Sequence, residues 1–471
     1  MVFTDLFFLY FFLPVCLICY FITRNATVRN LVLVVFSLIF YAWGEPLWVL
    51  ILPVAALSDY LSGKVIGKGG ISAKLAFAWS LLFDTGLMVL FKYSGAITDA
   101  VYSFTGTELP LPKLSLPIGL SFYVLRSVSY NADCLRGKIK PEKSYLRYLM
   151  YVSLFPQVAA GPVVKYADIR EETGARKITI KDLSEGFSQL IRGLAKKLLI
   201  ANSLGHAVTA LFGDFGGDDI ALGALTVLGG WYGLLLTGLW LYFELSGYSD
   251  MAVGLGRIFG FHFKDNFNYP FACVSVSDFW ERWHISLGDF FRGYVRDMKI
   301  FGKKRTYLGI ILMWLLMGLW HGASLNFMIW GLYVCLFILL ETAIGEKRMK
   351  KMPAFAGHIY SKLMMLLGVG LFWFNSLPKL EKFFSALAGL NGNTFTDSRT
   401  TGIILGNIFV FIAAAVLSLP VIPALKEKAF RKAGSAYIYQ AAGVICNAVL
   451  LLAGSLMLIY SSSDPVFYFN F

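Results

Sequence analysis

Charged residues make up only 15% of this 471-residue chain, and no stretch stays polar long enough to build a soluble domain. That scarcity excludes an ordinary water-soluble enzyme. Hydrophobic residues reach 57%, aromatics 16%, and mean hydropathy is +0.65, which is membrane composition. The chain has no glycine-rich nucleotide loop and no Walker lysine motif, which argues against an ATP-driven pump. It shows no fixed-period repeat, which counts against an inverted-repeat transporter. Its six cysteines (Cys16, Cys19, Cys134, Cys273, Cys335, Cys446) are scattered, with no spacing against histidine that suits a metal. No metal and no bound cofactor are expected.

The first apolar run, Leu6 to Ile22, lacks a basic n-region and a small-residue cleavage site, so it reads as a retained helix. Further runs follow: Leu31 to Trp43, Leu47 to Leu61, Leu75 to Phe91, Leu116 to Tyr130, Ile220 to Phe243, Tyr307 to Trp320, Leu325 to Ile344, Leu363 to Phe374, Ile403 to Leu419 and Ala441 to Tyr460. At roughly 20 apolar residues per span they predict about twelve crossings, some of them tilted, broken or re-entrant. The expectation is an all-α polytopic membrane protein forming one domain over residues 1–471.

Acidic residues are the minority, 29 against 42 Lys and Arg, for a formal net charge of +13. Nucleic acid is not the reason. The basic residues lie in short loops between apolar runs, as the positive-inside rule requires. Arg24 to Arg29, Lys64 to Lys74, Arg136 to Arg147, Lys165 to Lys181, Lys303 to Arg305, Lys347 to Lys351 and Lys426 to Lys432 are therefore expected on the cytoplasmic side. The loops near Gly44 to Pro46, Ser94 to Lys113 and Ser376 to Thr401 then face outside, and the lipid bilayer is the first partner.

Histidine is rarer still, at five residues. His206, His262 and His358 sit at expected membrane interfaces. His321 does not: about fifteen residues separate it from the Lys303 to Arg305 anchor, and at ~1.5 Å each they carry it ~22 Å into a core ~30 Å thick. Gly322 and Ser324 then offer a helix break and a new N-cap, with both flanking arms short for full spans. A break at that depth is tolerated where it lines a polar cavity or is buried in protein. The alternative is a histidine bonded to a neighbouring helix for packing.

In SDFWERWHISLGDFFRGYVRD, Ser277 to Asp297, helical periodicity puts Trp280, Trp283, Leu287, Phe291 and Tyr294 on one stripe with His284. Arg282, Asp289, Arg292 and Arg296 fall on the other face. This predicts one amphipathic helix at the inner interface. His284 reads equally as a functional group and as an aromatic-packed histidine. Two further polar clusters suit a cavity wall or re-entrant segment. One is Tyr242 to Phe271, where an acid among Glu244 and Asp250 is expected to pair with Arg257. The other is FPQVAAGPVVKY, Phe155 to Tyr166, with its two prolines and a glycine.

Taken in order, FYAWGEP (Phe40 to Pro46), FPQVAAGPVVKY, GLAKKLLIANSL (Gly193 to Leu204), YFELSGYSDMAVGLGRIFGF, FWERWHISLGDFFRGY, GLWHGASLNFMIWGLY and the terminal VFYFNF (Val466 to Phe471) give the chain its resemblance. It resembles the membrane-bound O-acyltransferase superfamily, in the branch of the alginate O-acetyltransferase membrane subunit. The resemblance implies a bundle with re-entrant or interfacial segments around an intramembrane tunnel, a family core over about 115–345 and C-terminal helices over about 355–471. It implies that His321 is the intramembrane catalytic histidine and His284 its companion, with Tyr248, Asp250, Arg282, Trp320 and Asn326 as candidate tunnel or substrate-binding residues.

The implied chemistry is transfer of an acetyl group from a cytosolic thioester, acetyl-CoA or another acyl thioester, toward an exported or cell-wall polysaccharide. The implied partner is an extracytoplasmic acetyltransferase or acceptor protein, and the implied location the plasma membrane. Departures are Gly293, where the family has an aspartate followed by a Pro-Leu-Gly-Gly turn, and Leu125-Arg126 in place of Phe-Gln. Two other functions remain open: D-alanyl transfer to teichoic acid, and a polytopic transporter or flippase in which His321 and Asp250 would relay protons.

Overall fold

The structure, a computed structural model, describes residues 1–107, 114, 116–296, 306–431 and 433–460. The Lys303 to Arg305 anchor, Lys113, Asp297, Lys432 and the VFYFNF end lie outside the described residues. Within them the protein is helical, with one isolated bridge between Gly216 and Phe374 and no named strand. In a bilayer a helix satisfies its own backbone, so apolar composition dictates this class.

Six helices are long and apolar enough to cross a membrane: Ala26–Gly44, Gly70–Thr105, Leu325–Ile344, Ala354–Trp373, Ser398–Leu417 and Ser435–Tyr460. Phe8–Ile22 and Tyr307–His321 are apolar but shorter. The protein is thus an all-α, multi-pass membrane protein. Length and composition account for fewer than the expected twelve spans among the described residues, because several apolar runs sit in short helices that also carry buried polar groups.

Two compact units divide the chain. The first comprises Met1–Leu190 and Ser249–Asp265, the second Ile191–Tyr248 and Asn266–Phe471. In the first, α1 (Ile51–Ile66), α2 (Gly70–Met88) and α3 (Leu120–Leu135) pack together around polar side chains. Asp59 Oδ1 accepts from Ser80 Oγ at 2.7 Å and from Asn131 Nδ2 at 3.0 Å, and all three residues are buried. Such bonds join helices where lipid supplies no hydrophobic drive between them. The segment expected as an outside loop from Ser94 is instead helical to Thr105, continuing from α2 through a π turn at Val89–Tyr93.

Phe155–Val158 forms a four-residue helix, and the chain from Phe155 to Val164 is buried throughout. Its backbone approaches the start of α3 so closely that a Cβ on Gly119, at φ +73, would lie 1.8 Å from the Val158 oxygen. Only glycine fits there.

The longest helix, α4 (Val227–Ile258), runs on through the polar cluster around Tyr248 where the apolar run was expected to stop. The expected pairing of Glu244 or Asp250 with Arg257 is not what forms. Arg257 meets Glu185 at 2.7 Å and Asp182 at 3.7 Å, while Glu244 meets Lys197 at 2.8 Å. Three and a half helical turns separate Glu244 from Arg257, so they cannot meet along one helix.

The expected single helix over Ser277 to Asp297 is broken. It comprises α5 (Val276–Arg282), α6 (Ile285–Phe291) and a π turn, Arg292–Arg296. His284 sits at the break with φ 46, a left-handed conformation in which an α-helix cannot continue.

Next come α7 (Thr306–His321) and α8 (Leu325–Ile344), an antiparallel hairpin turning through Gly322, Ala323 and Ser324. The break expected after His321 is present. The shortness expected of both arms holds for α7 only, since α8 has 20 residues and is long enough to span. Ser324 is the N-cap residue, yet its hydroxyl donates to the Asn375 carbonyl at 3.1 Å instead of capping α8. The second unit continues with α9 (Ala354–Trp373) and α10 (Ser398–Leu417).

Candidate active site

Within the second unit, α4, α5, α6, α7, α8, α9 and α10 line a partly open cavity of about 330 Å³. For scale, an apolar cavity of roughly 150 Å³ holds a benzene. Its walls are leucine, phenylalanine, methionine and tryptophan, among them Leu239, Trp280, Met317 and Phe372. Two imidazoles, His284 and His321, and two cationic side chains, Arg292 and Lys362, also line it. Among the described residues, no carboxylate lines the cavity.

His321 reaches this cavity because it is the last residue of α7, where the chain has already turned away from helical continuation. Aromatic rings hold its imidazole on several sides. Trp320 lies at 5.0 Å, Phe372 at 5.0 Å and Trp330 at 5.2 Å between centroids, all edge-on, with Phe327 tilted at 6.0 Å. Edge-to-face packing of this kind fixes ring orientation while leaving room for one polar edge to act. Trp280, Trp314 and Trp330 stack edge-on beside it at 5.0 to 6.0 Å and close the wall.

His284 is 5% exposed and lies between two seven-residue helices, outside the spanning helices. Burial pushes its imidazole down to about 4, so it is neutral at physiological pH. Asn266 Nδ2 sits 3.3 Å from its Nδ1. Arg292, expected on a solvent-facing stripe, lines the cavity because the break at His284 turns the following helix, and it pairs with Asp289 at 2.7 Å.

The other sequence candidates lie elsewhere. Asp250 belongs to the first unit and receives a hydrogen bond from Gln189 at 3.3 Å. Tyr248 is buried on α4 without lining the cavity. Arg282 is bound to Asp278 at 2.6 Å. Trp320 supports the His321 ring, and Asn326 donates to the Phe372 carbonyl at 3.1 Å, so both adjoin cavity residues without lining it.

Lys362 was not foreseen. The apolar run read from the sequence started one residue later, at Leu363, although a lone cation eight residues into an apolar helix is itself a signal. Its Nζ donates to the Cys273 carbonyl and lies 2.7 Å from His358 Nδ1. His358, one helical turn before Lys362 on α9, also places its Nδ1 2.9 Å from the Cys273 carbonyl.

A cavity with two imidazoles on apolar walls suits acyl transfer to a hydroxyl, and comparison with known proteins bears on the class directly. Residues 77–376 match the model of the membrane-bound O-acyltransferase family. The chain is similar over its whole length to an Azotobacter vinelandii protein named "Probable alginate O-acetylase AlgI", at 30% identity and with all of both chains covered. A Pseudomonas aeruginosa protein of the same name is 32% identical, covering 82% of this chain and 75% of its own. The peptidoglycan O-acetyltransferase of Helicobacter pylori is 27% identical over 98% of this chain and 96% of its own. The chain belongs to the membrane-bound O-acyltransferase family. It is a multi-pass membrane enzyme that transfers an acyl group to a hydroxyl.

Proposed function

We propose that this enzyme takes an acetyl group from a cytosolic thioester, acetyl-CoA, and passes it through the cavity of the second unit for O-acetylation of an exported or cell-wall polysaccharide. The observation that carries this reading is the meeting of His284 and His321 on one apolar cavity, in a chain alignable end to end with proteins named as O-acetylases. The cell membrane is the proposed location. An extracytoplasmic acetyltransferase is the proposed partner that accepts the group or completes its delivery, through a tunnel joining the two faces.

His321 acts as general base in this scheme. The acceptor hydroxyl oxygen attacks the thioester carbonyl carbon while its proton passes to a ring nitrogen of His321. The carbonyl oxygen becomes an oxyanion, to which His284 donates a hydrogen bond. Collapse of the oxyanion breaks the carbon–sulfur bond, the thiolate leaves, and it takes the proton back from His321. The ester is the product and the free thiol the by-product. Apolar walls exclude water, which would otherwise hydrolyse the thioester.

The test follows labelled acetyl from acetyl-CoA into a covalent ester, using membrane vesicles with the acceptor supplied on the opposite face. His321→Gln keeps hydrogen bonding and bulk but cannot take a proton near neutral pH. It is expected to insert normally and to lose roughly 10²–10⁴-fold in transfer rate. Near wild-type transfer by His321→Gln at wild-type expression rules the base role out. Incorporation of labelled D-alanine instead of acetyl, or solute movement without ester formation, rules the acetyl reading out.

A further inference from the structure

Where the resembled family carries Phe-Gln, this chain carries Leu125-Arg126, which puts a guanidinium in the place of a neutral amide. Arg126 lies on α3 in the first unit and is 0% exposed. An arginine side chain stays charged and offers five N–H donors. Among the described residues, none of its three nitrogens, Nε, Nη1 and Nη2, has a hydrogen-bond partner.

Three buried phenols, those of Tyr151, Tyr148 and Tyr123, lie within electrostatic reach of the guanidinium, and none accepts a hydrogen bond from it. The Tyr151 hydroxyl donates to the Val164 carbonyl at 3.0 Å, and the Tyr148 hydroxyl to Ser127 at 3.4 Å. The Tyr123 hydroxyl has no partner among the described residues, so it adds another unmade donor. Acids of the same unit do not answer these donors. Asp59 accepts from Ser80 and from Asn131, which stands five residues along α3 from Arg126 and so roughly 140° round the helix. Asp133 pairs with Lys138 at 3.4 Å. Asp84, one turn beyond Ser80 on α2, bonds to neither Arg126 nor Tyr123.

We propose that Arg126 and Tyr123 hold a small inorganic anion, chloride in the cell, at a closed site among the helices of the first unit. Donors without acceptors select an anion over a cation. A buried water would bond to them but leave the positive charge uncompensated, and an unpaired buried charge costs far more than an unpaired dipole. One charge calls for one monovalent ion. Guanidinium is weakly hydrated and gives up its water readily, which suits pairing in a dry site. Complete burial excludes an anionic group attached to a larger molecule, since that would need an opening at the guanidinium. The site stands apart from the acyl-transfer reading, whose cavity is lined by residues of the second unit.

Thermal unfolding of the purified enzyme in detergent tests this, with chloride replaced stepwise by gluconate at constant ionic strength so that screening stays equal. Gluconate is too large to be enclosed. The wild-type melting temperature is expected to rise with the logarithm of chloride concentration, as it does for any ion bound by the folded state alone. Arg126→Gln, which restores the family's amide, is expected to melt at the same temperature in both salts. A wild-type enzyme indifferent to the exchange overturns the proposal, and so does an Arg126→Gln variant that keeps the wild-type response, because the ion then binds elsewhere.

If Arg126→Gln does not fold, crystals of the wild-type enzyme grown in bromide decide. Anomalous scattering at the bromide edge is expected to peak between the Arg126 guanidinium and the Tyr123 hydroxyl. Water alone at that point, or no peak there, overturns the proposal.

Discussion

A Cβ placed on Gly318 would lie 2.6 Å from the carbonyl oxygen of Phe327, so α7 and α8 meet backbone to backbone just before the turn that presents His321. Gly331 repeats the contact in the other direction, 2.6 Å from the Trp314 oxygen. Small residues permit this approach, and Cα–H to carbonyl contacts reward it. Gly318→Ala is expected to force the hairpin apart, costing about 1–3 kcal/mol and lowering transfer activity through displacement of His321. Gly402→Ala on α10, where a Cβ meets nothing within 4 Å, is the control and should be neutral or slightly stabilising. Thermal unfolding of both variants in detergent checks the pair, and equal melting temperatures would contradict the hairpin contact.

The ion pair between Lys197 and Glu244 is 2.8 Å long, with side chains only 6% and 1% exposed. Lys197 lies on a π turn, Lys196–Ala201, and Glu244 on α4 between the cavity-lining residues Leu241 and Leu245. Removing one partner strands a buried charge. Lys197→Ala is expected to destabilise by about 3–5 kcal/mol, whereas Lys197→Met combined with Glu244→Leu should recover most of the loss. Yield and melting temperature of the single and double variants measure this, and a single variant as stable as wild type would refute the buried pair.

His262 follows α4 in the first unit and makes two acidic contacts, Glu172 Oε1 at 2.8 Å and Asp182 Oδ1 at 3.4 Å. Partial burial pulls its pKa down, but the bonds to Glu172 and Asp182 outweigh it, and the net shift is upward. Asp182, held low by hydrogen bonds from Thr179, stays charged, with Arg257 also 3.7 Å from it. The sign follows from linkage. A folded-state pKa above the unfolded value of about 6.5 gives stability that is complete below that value and is lost as pH rises through the folded pKa. Melting temperature should therefore fall from pH 6 toward about pH 8, and His262→Gln should flatten that part of the profile. An unchanged slope in the variant would assign the dependence to another group.

Orientation can be checked from outside the cell. Lys347 to Lys351 and Lys426 to Lys428 flank spanning helices, and the positive-inside rule puts both clusters in the cytosol. Single cysteines at Lys350 and Lys426 should resist a membrane-impermeant thiol reagent in intact cells, while one at Asn391 should react. The reverse labelling pattern would invert the protein and the side from which His321 is approached.

By itself the sequence determined the class of fold and the helix break that follows His321. Apolar runs tens of residues long leave the backbone no option in a bilayer but helix, and the distance of His321 from flanking basic residues, followed by Gly322 and Ser324, marked a break that the structure contains. Helix ends at polar clusters were harder to read. Glu244 and Tyr248 looked like the end of a run, yet α4 continues through them, with Glu244 paired to Lys197 from a segment distant in sequence. Periodicity over Ser277 to Asp297 likewise implied one helix, since a wheel sees side chains and not the pull of a residue on another segment.

Only tertiary structure decided that Asn266 grips Ile285 and Ser286, breaks the helix at His284 and turns Arg292 into the cavity. It also decided that Lys362 of α9, and not Asp250 or Tyr248, shares that cavity with the two histidines. The physical reason is range. Hydropathy and spacing act within one helix, whereas a site is made of hydrogen bonds and close approaches between segments far apart in the chain, and those depend on how all the helices pack at once.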